Sequence, residues 1–264
     1  MIYLINKIQD TKMKLKVLGS SSAGNCYILD NGVEALVIEA GVPFSEVKKA
    51  VDFDIRRIVG CLITHEHKDH SKWFKKFIEA RIIVSTSNET RNALIGDNDK
   101  DCSPYCFIYR VLHMNEFRLG NFTCMAFDVK HDAARPFGYL IKHPEIGTLL
   151  FATDTYYLEY TFNGLNNILI ECNYKSEILD DNVRDGLISY TQSNRTLRSH
   201  MSYDTCRDTL LANDLSAVNN IVLIHLSDGN SNAEKFRQGI MEATGKTVHI
   251  ADKGLIININ KTPY

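Results

Sequence analysis

The segment His65-Glu66-His67-Lys68-Asp69-His70 packs three imidazoles and a carboxylate into six residues. Imidazole nitrogen and carboxylate oxygen suit zinc and its first-row neighbours. The apolar run Gly60-Cys61-Leu62-Ile63-Thr64 just before it predicts a strand. Residues i and i+2 leaving a strand end point to one side, so His65 and His67 can clasp one ion. Asp69 and His70 lie further on and can face a second. The competing account is a polar surface loop. One histidine would fit it; three histidines and an aspartate at this spacing do not.

Two ions need more ligands than these four residues supply. His131 follows Phe127-Asp128-Val129-Lys130, Asp154 follows Leu149-Leu150-Phe151-Ala152-Thr153, and His225 follows Ile221-Val222-Leu223-Ile224. Each is a polar residue where an apolar strand stops, which is where open sheets display their sites. Taken singly each could be an ordinary loop residue; their shared position singles them out together. His113, His143 and His249 lack that pattern and read as surface or structural histidines.

The surrounding sequence must supply elements that hold these residues. Residues 13–19, 26–29 and 35–39 read as strands, with Asn31-Gly32 as a hairpin signal between the last two. Residues 43–51 have helical spacing with Pro43 and Ser45 at the start. Residues 58–64 read as a strand, 72–79 as a basic amphipathic helix and 82–85 as a strand. Strands are predicted at 122–130, 137–142, 148–152, 167–171, 221–226 and 254–259. Residues 176–213 are polar and mostly helical, and 233–243 a further helix. Strand groups mixed with helices in both halves predict an α/β (α+β) architecture of two sheets with helices on their outer faces. No linker or repeat divides the chain, so a single domain over 1–264 is expected. Residues 1–12 read as a short N-terminal extension, and Met13 could be an alternative start.

Composition narrows the class. The 264 residues suffice for a full core, and a net charge of −2 excludes a molecule-wide electrostatic trap for nucleic acid. No run approaches the roughly 18 apolar residues of a membrane span. The start lacks the basic, apolar and small-residue parts of a signal peptide, so a cytoplasmic setting without membrane contact is expected. Seven cysteines scattered among apolar runs read as reduced thiols. Cys102-Ser103-Pro104-Tyr105-Cys106 has the wrong spacing for a zinc pair and reads as loop cysteines. A homodimer is compatible with these features.

Together the quoted residues resemble the metallo-β-lactamase superfamily. Its His-x-His-x-Asp-His signature matches His65, His67, Asp69 and His70, and its later ligands match His131, Asp154 and His225. The match spans residues 14–259 and implies a four-layer αββα sandwich. Glu39, in Val37-Ile38-Glu39-Ala40-Gly41, matches an acidic residue, usually Asp, that supports the ligands from behind. True β-lactamases usually lack the equivalent of His70 and use a cysteine in the second site, so lactam hydrolysis is not implied.

Leu18-Gly19-Ser20-Ser21-Ser22-Ala23-Gly24-Asn25-Cys26, His131-Asp132-Ala133, Glu171-Cys172-Asn173 and His225-Leu226-Ser227 resemble the YycJ/WalJ-like branch, which is related to the tRNA 3′-processing nucleases. Asn173-Tyr174-Lys175 departs from the histidine-containing wording usual there. The resemblance implies two divalent ions, zinc or manganese, bridged by Asp154. His65, His67 and His131 would hold one ion, and Asp69, His70 and His225 the other. A hydroxide between them would attack a phosphodiester, with Asp69 orienting it. His200 resembles the non-ligand histidine of the tRNA-processing relatives and would serve the leaving oxygen, with Glu171 fixing its tautomer.

The implied activity is a nuclease, like a DNA exonuclease, acting on nucleic acid or nucleotide. Asn25, Asn173, Lys175 and Ser202 are the expected substrate contacts. Lys175, Arg184, Arg195 and Arg198, with Lys72, Lys75 and Lys76, are the expected local cations. The alternatives are a small-molecule phosphodiesterase acting on cyclic nucleotides, then a thioesterase or a non-catalytic nucleic-acid-binding protein.

Overall fold

The computed structural model describes residues 12–96 and 105–262. In chain order β1 (Lys14–Gly19), β2 (Cys26–Asp30), β3 (Ala35–Ile38), β4 (Ile58–Leu62), β5 (Val84–Thr86) and β6 (Ile108–Arg110) build the first sheet. The second takes β7 (Glu116–Leu119), β8 (Phe122–Asp128), β9 (Phe137–His143), β10 (Gly147–Ala152), β11 (Leu165–Glu171), β12 (Asn220–Ile224) and β13 (Thr247–Ile250). A last strand, β14 (Ile256–Asn258), returns to the first sheet beside β1. The strand orders are β14-β1-β2-β3-β4-β5-β6 and β13-β12-β11-β10-β9-β8-β7.

Three apolar layers follow from the strand pattern. In β1, Leu15 and Val17 turn inward while the lysines between them turn out. Leu15, Tyr27, Leu36 and Leu62 meet Phe122, Tyr139, Phe151 and Val222 of the other sheet. The outer face of the first sheet, with Ile28, Val37 and Cys61, is covered by α1 (Phe44–Ala50) and α3 (Phe74–Glu79) through Val47, Phe74 and Phe77. That of the second, with Leu150, Ile168 and Leu223, is covered by α7 (Tyr203–Leu211) and α8 (Ala233–Thr244) through Cys206, Leu210, Phe236 and Ile240. Strands such as β11 are therefore buried on both faces, and the four layers run α, β, β, α. No disulfide links the described cysteines, and Cys102 lies outside the described residues, as does nearly all of the expected extension. Met13 belongs to the core: it is fully buried, and its carbonyl accepts from Ile259 N–H at 2.9 Å.

Two differences from the sequence reading matter for the site. The helix expected over 72–79 is split into α2 (Lys68–Ser71) and α3. Trp73 leaves the helical ladder because its N–H bonds to Ala40 O at 2.9 Å, tying this segment to the loop after β3. Helix α4 (Asn88–Ile95), capped by Ser87 Oγ on Thr90 N–H, was not expected; its polar sequence gives little apolar periodicity to read. The short strands β6, β7 and β13 escaped for want of length. Among the described residues no helix is long and apolar enough to cross a membrane.

The end of the sandwich away from the histidines is tied by polar groups. Buried Glu34, in the β2–β3 turn, accepts from Asn121 N–H (3.0 Å) and Nδ2 (2.7 Å) and meets His143 Nε2 at 3.1 Å. Burial opposes the carboxylate's charge, but these partners outweigh it and hold its pKa below the ordinary value. A depressed carboxylate pKa contributes stability that is complete above the unfolded value of about 4.3 and is lost as pH falls through the folded value. Melting temperature followed against pH should therefore drop in acid, and Glu34→Gln should flatten that part of the curve. An unchanged slope would remove Glu34 from the acid response.

Candidate metal centre and active-site cavity

Strands β10, β11 and β12 run parallel, and β8 shares their direction through antiparallel β9. Their C-terminal ends open on one edge, which delivers His131, Asp154, Glu171 and His225. Parallel β3 and β4 deliver Glu39 and the His65–His70 segment to the same edge, where Phe137 N–H bonds Thr64 O at 3.1 Å. Three of these residues, Glu39 (φ 69°), Asp154 (φ 46°) and His225 (φ 54°), leave their strands in the left-handed region. Non-glycine residues held there cost about 1–3 kcal/mol each and cluster at functional sites.

Close packing sets the position of Asp69. Asn25 N–H bonds Asp69 O at 2.7 Å, and Gly41 N–H bonds Asn25 O at 3.0 Å. A Cβ on Gly41 would stand 1.7 Å from Asp69 O, so only glycine lets the three segments meet.

Hydrogen bonds on the outer side of each imidazole define what its inner nitrogen offers. Thr64 Oγ1 donates its one proton to Glu39 Oε1 at 2.6 Å, so it accepts from His65 Nδ1–H at 2.8 Å. His65 Nε2 is thereby left with a lone pair, buried and without a hydrogen bond. His131 Nδ1–H donates to Ser199 O at 2.9 Å, and its Nε2 lies 3.2 Å from His67 Nδ1. His70 Nδ1 faces Glu39 Oε1 at 3.3 Å while its Nε2 faces Asp154 Oδ2 at 2.5 Å. His225 Nδ1 lies 3.2 Å from both Asp154 Oδ1 and Glu171 Oε1, and its Nε2, buried without a hydrogen bond, looks toward Asp69 Oδ2 at 3.7 Å.

Donor atoms of His65, His67 and His131 lie within 4.8 Å of one another, as do those of Asp69, His70, Asp154 and His225. The unpartnered inner atoms and the nitrogen–oxygen donor set fit divalent ions. One group draws on both sheets for three nitrogens. The other adds two carboxylates.

A metallo-β-lactamase superfamily model matches residues 21–156, more than half of the sequence. The chain belongs to the metallo-β-lactamase superfamily. It is similar to exodeoxyribonuclease YycJ of Bacillus anthracis, 29% identical over 244 residues, covering 87% of this chain and 88% of the relative. Among solved structures it is similar to the metallo-β-lactamase fold protein YhfI of Bacillus subtilis (TM-score 0.69, 15% identity, covering 93% and 99% of the two chains). The short form of human tRNase Z gives a TM-score of 0.61 at 14% identity, covering 94% and 99%. At these identities the two structures show the shared fold.

In this superfamily member the ligand groups floor a cavity of about 700 Å³. His200 borders it, with Nδ1 2.7 Å from Glu171 Oε1 and its ring stacked on His225 at 5.3 Å between centroids. Glu171 is fully buried; its other oxygen accepts from Thr155 N–H (2.9 Å) and Met201 N–H (3.2 Å). Asn173 also borders the cavity and donates to His225 O at 2.8 Å.

The other three expected substrate contacts lie elsewhere. Asn25 is fully buried, with Nδ2 3.1 Å from His70 Nε2. Lys175 pairs with Asp204 at 2.7 Å over the Tyr203 ring, and Ser202 caps α7 through Thr205 N–H. Sequence reasoning missed the wall made by α6 (Tyr190–Ser199) and the turn before it. Ile188, Gln192 and Thr196 recur every four residues on the way to His200, with Leu187 exposed at the rim. That four-residue spacing was the available signal.

Charges in the floor are strongly coupled. Burial opposes protonation of His225, but Asp154, Asp69 and Glu171 raise its pKa to about 9. Burial likewise opposes the charge on His200, and Glu171 and Asp154 raise it to about 10. Burial pushes His65 down, toward the neutral form that a ligand needs. A metal that takes Asp154 and His225 must displace a proton below about pH 9, so affinity should weaken by up to about tenfold per pH unit on acidification. Titrating zinc calorimetrically at neutral pH, in buffers of different ionisation enthalpy, should reveal net proton release. Equal heats in all buffers would contradict this protonation pattern.

A second check concerns Gly41. Gly41→Ala should cost roughly 1–3 kcal/mol of stability through overpacking. It should also weaken metal uptake, since Asp69 is the atom group displaced; thermal melting and metal stoichiometry report the two effects.

Proposed function

We propose that this chain, a metal-dependent hydrolase acting on phosphoester bonds, is a nuclease that removes nucleotides from DNA ends. The observation that carries this reading is the His200–Glu171 pair, set beside the two ligand groups and open to the cavity. A hydrolase whose leaving group is an alkoxide gains from an oriented imidazole placed there. The similarity to an exodeoxyribonuclease over most of both chains points to the same substrate class.

The roles follow from the tethers. His65, His67 and His131 would hold one divalent ion, and Asp69, His70 and His225 a second, with Asp154 between them. Such ions, zinc or manganese, lower the pKa of water toward about 7 and neutralise charge on an attacked phosphoryl oxygen. Glu39 holds Thr64 and His70 in place from behind. Glu171 accepts from His200 Nδ1–H, which leaves the other nitrogen to serve the leaving oxygen. Asp69, on the cavity side, is placed to orient an attacking water, and Asn173 fixes the main chain at His225.

Cations are sparse around the cavity, and this favours the small-substrate alternative more than the sequence did. Of the expected cations only Arg195 borders it, 3.3 Å from Asp132. Arg184, the last residue of α5 (Ser176–Arg184), and Lys76 are spent on neighbouring carboxylates. A cyclic nucleotide would need no extended basic track.

Oligodeoxynucleotides and cyclic nucleotides, each incubated with zinc- or manganese-loaded protein, separate the readings. Progressive shortening of the oligonucleotide is expected; turnover of cyclic nucleotide alone would transfer the function to the second reading. His200→Ala should lower kcat by about 10²–10⁴-fold with metal content unchanged. Full activity in that variant would remove the imidazole from the reaction.

A further inference from the structure

A second cavity, of about 580 Å³, adjoins the first across a ridge formed by Ser21, Leu226, Ser227 and Asp228, which border both. Its wall carries Trp73, the only tryptophan of the chain. The indole is half-buried, and its main chain is pinned by the bond to Ala40 O. The main-chain bond sets where the indole leaves the backbone on this wall. Lys72 Nζ lies 6.0 Å from the ring centroid, and neither Lys72 nor Lys253, also on this wall, has an ion pair among the described residues. At Ser21, on the ridge, and at Ser22, next to it on the first cavity, the main-chain N–H groups donate to no described group. Successive free N–H groups in a turn suit an anionic oxygen.

Resting on the nuclease reading above, we infer that this second cavity receives the strand that continues from the nucleotide being cleaved. One of its bases stacks on Trp73, and the connecting phosphate crosses the ridge at Ser21, beside Ser22. The substrate is then single-stranded where it crosses, because a paired base could not turn its face to the indole. The chemistry of the lining says which force dominates. Lys72 and Lys253 are opposed by Glu46, Asp228 and Asp252, of which Glu46 is taken up by Lys49 at 2.9 Å. Such a surface does not concentrate phosphate by charge. Stacking on an aromatic face tolerates any base and is sequence-independent, so it suits an enzyme that shortens strands of arbitrary sequence. It also resolves the scarcity of cations at the first cavity: affinity for a long strand comes from the neighbouring aromatic surface.

The test uses the metal-loaded full chain and a phosphorothioate oligothymidylate that resists hydrolysis. With Trp73 as the sole indole, its emission reports this cavity alone. A dodecamer should quench it saturably, and a dinucleotide, too short to cross the ridge, should not. With cleavable substrates, Trp73→Ala should raise the KM for the dodecamer relative to that for the dinucleotide by about tenfold. Trp73→Phe, which keeps a stacking ring, should restore most of that ratio. Cleavage of the dodecamer with unchanged emission, or KM values that rise equally for both lengths, would overturn the inference. If the protein cleaves no oligonucleotide, the nuclease reading fails. The emission titration then decides alone: quenching by the dodecamer retains a strand-binding cavity, and none removes it.

Discussion

Six ionisable side chains, Glu39, His65, His70, Asp154, Glu171 and His225, are almost wholly withdrawn from water at one end of two packed sheets. Burying such groups without partners costs several kcal/mol each, and the surrounding structure is arranged around that cost. His65, His131 and His200 are tied on one side by hydrogen bonds with Thr64, Ser199 and Glu171, and His70 Nδ1 faces Glu39 at 3.3 Å. Every carboxylate faces imidazole or main-chain N–H. Among the buried atoms left without a hydrogen bond, His65 Nε2, Asp154 Oδ1 and His225 Nε2 belong to the two ligand groups. A divalent ion would supply the missing partner, so the cluster is expensive as bare protein and would be satisfied once loaded.

The same requirement explains the architecture. The ligand groups take His65, His67, Asp69 and His70 from the first sheet and His131, Asp154 and His225 from the second. Neither of these two groups is completed by one sheet alone. The apolar layer between them, from Leu15 and Tyr27 to Phe151 and Val222, is therefore what assembles the site as well as what stabilises the fold. Left-handed backbone at Glu39, Asp154 and His225 places strain at the seam, where packing from both sheets can hold it. Gly41 does the reverse: by having no side chain it lets the Asn25, Gly41 and Asp69 backbones close on one another.

Much of this was readable from residue order. Strand ends are marked by a change from apolar to polar residues, so His131, Asp154 and His225 declared themselves at the ends of β8, β10 and β12. Strand groups mixed with helices in both halves, among them the apolar runs Ile168–Ile170 of β11 and Ile221–Ile224 of β12, indicated two sheets. What stayed hidden depends on contacts distant in sequence. Trp73 breaks a helix because of Ala40, and Asn25 is withdrawn from the cavity because it packs on His70. Lys175 and Ser202 looked like substrate contacts by position near the motifs, yet Asp204 and the α7 cap claim them. Left-handed backbone at Glu39 carries no signal in residue type, and the mild preference of aspartate and histidine for it is too common along the chain to mark Asp154 and His225.

The floor and the wall of the cavity obey different physical rules, and this bears on how one fold serves several reactions. Floor residues are fixed by main-chain geometry, by one another and by the seam between sheets. A change at any of them leaves a buried charge without its partner. Wall residues such as Leu187, Gln192 and Thr196 sit on a turn and one face of α6, and they make few of the interactions that hold the floor. Trp73 stands outside the floor too, its main chain bonded to Ala40 and Lys76. Substitutions in wall and rim can therefore alter what enters without disturbing what reacts. A fixed floor beneath a more freely substituted wall is one physical way in which a single fold can host several reactions.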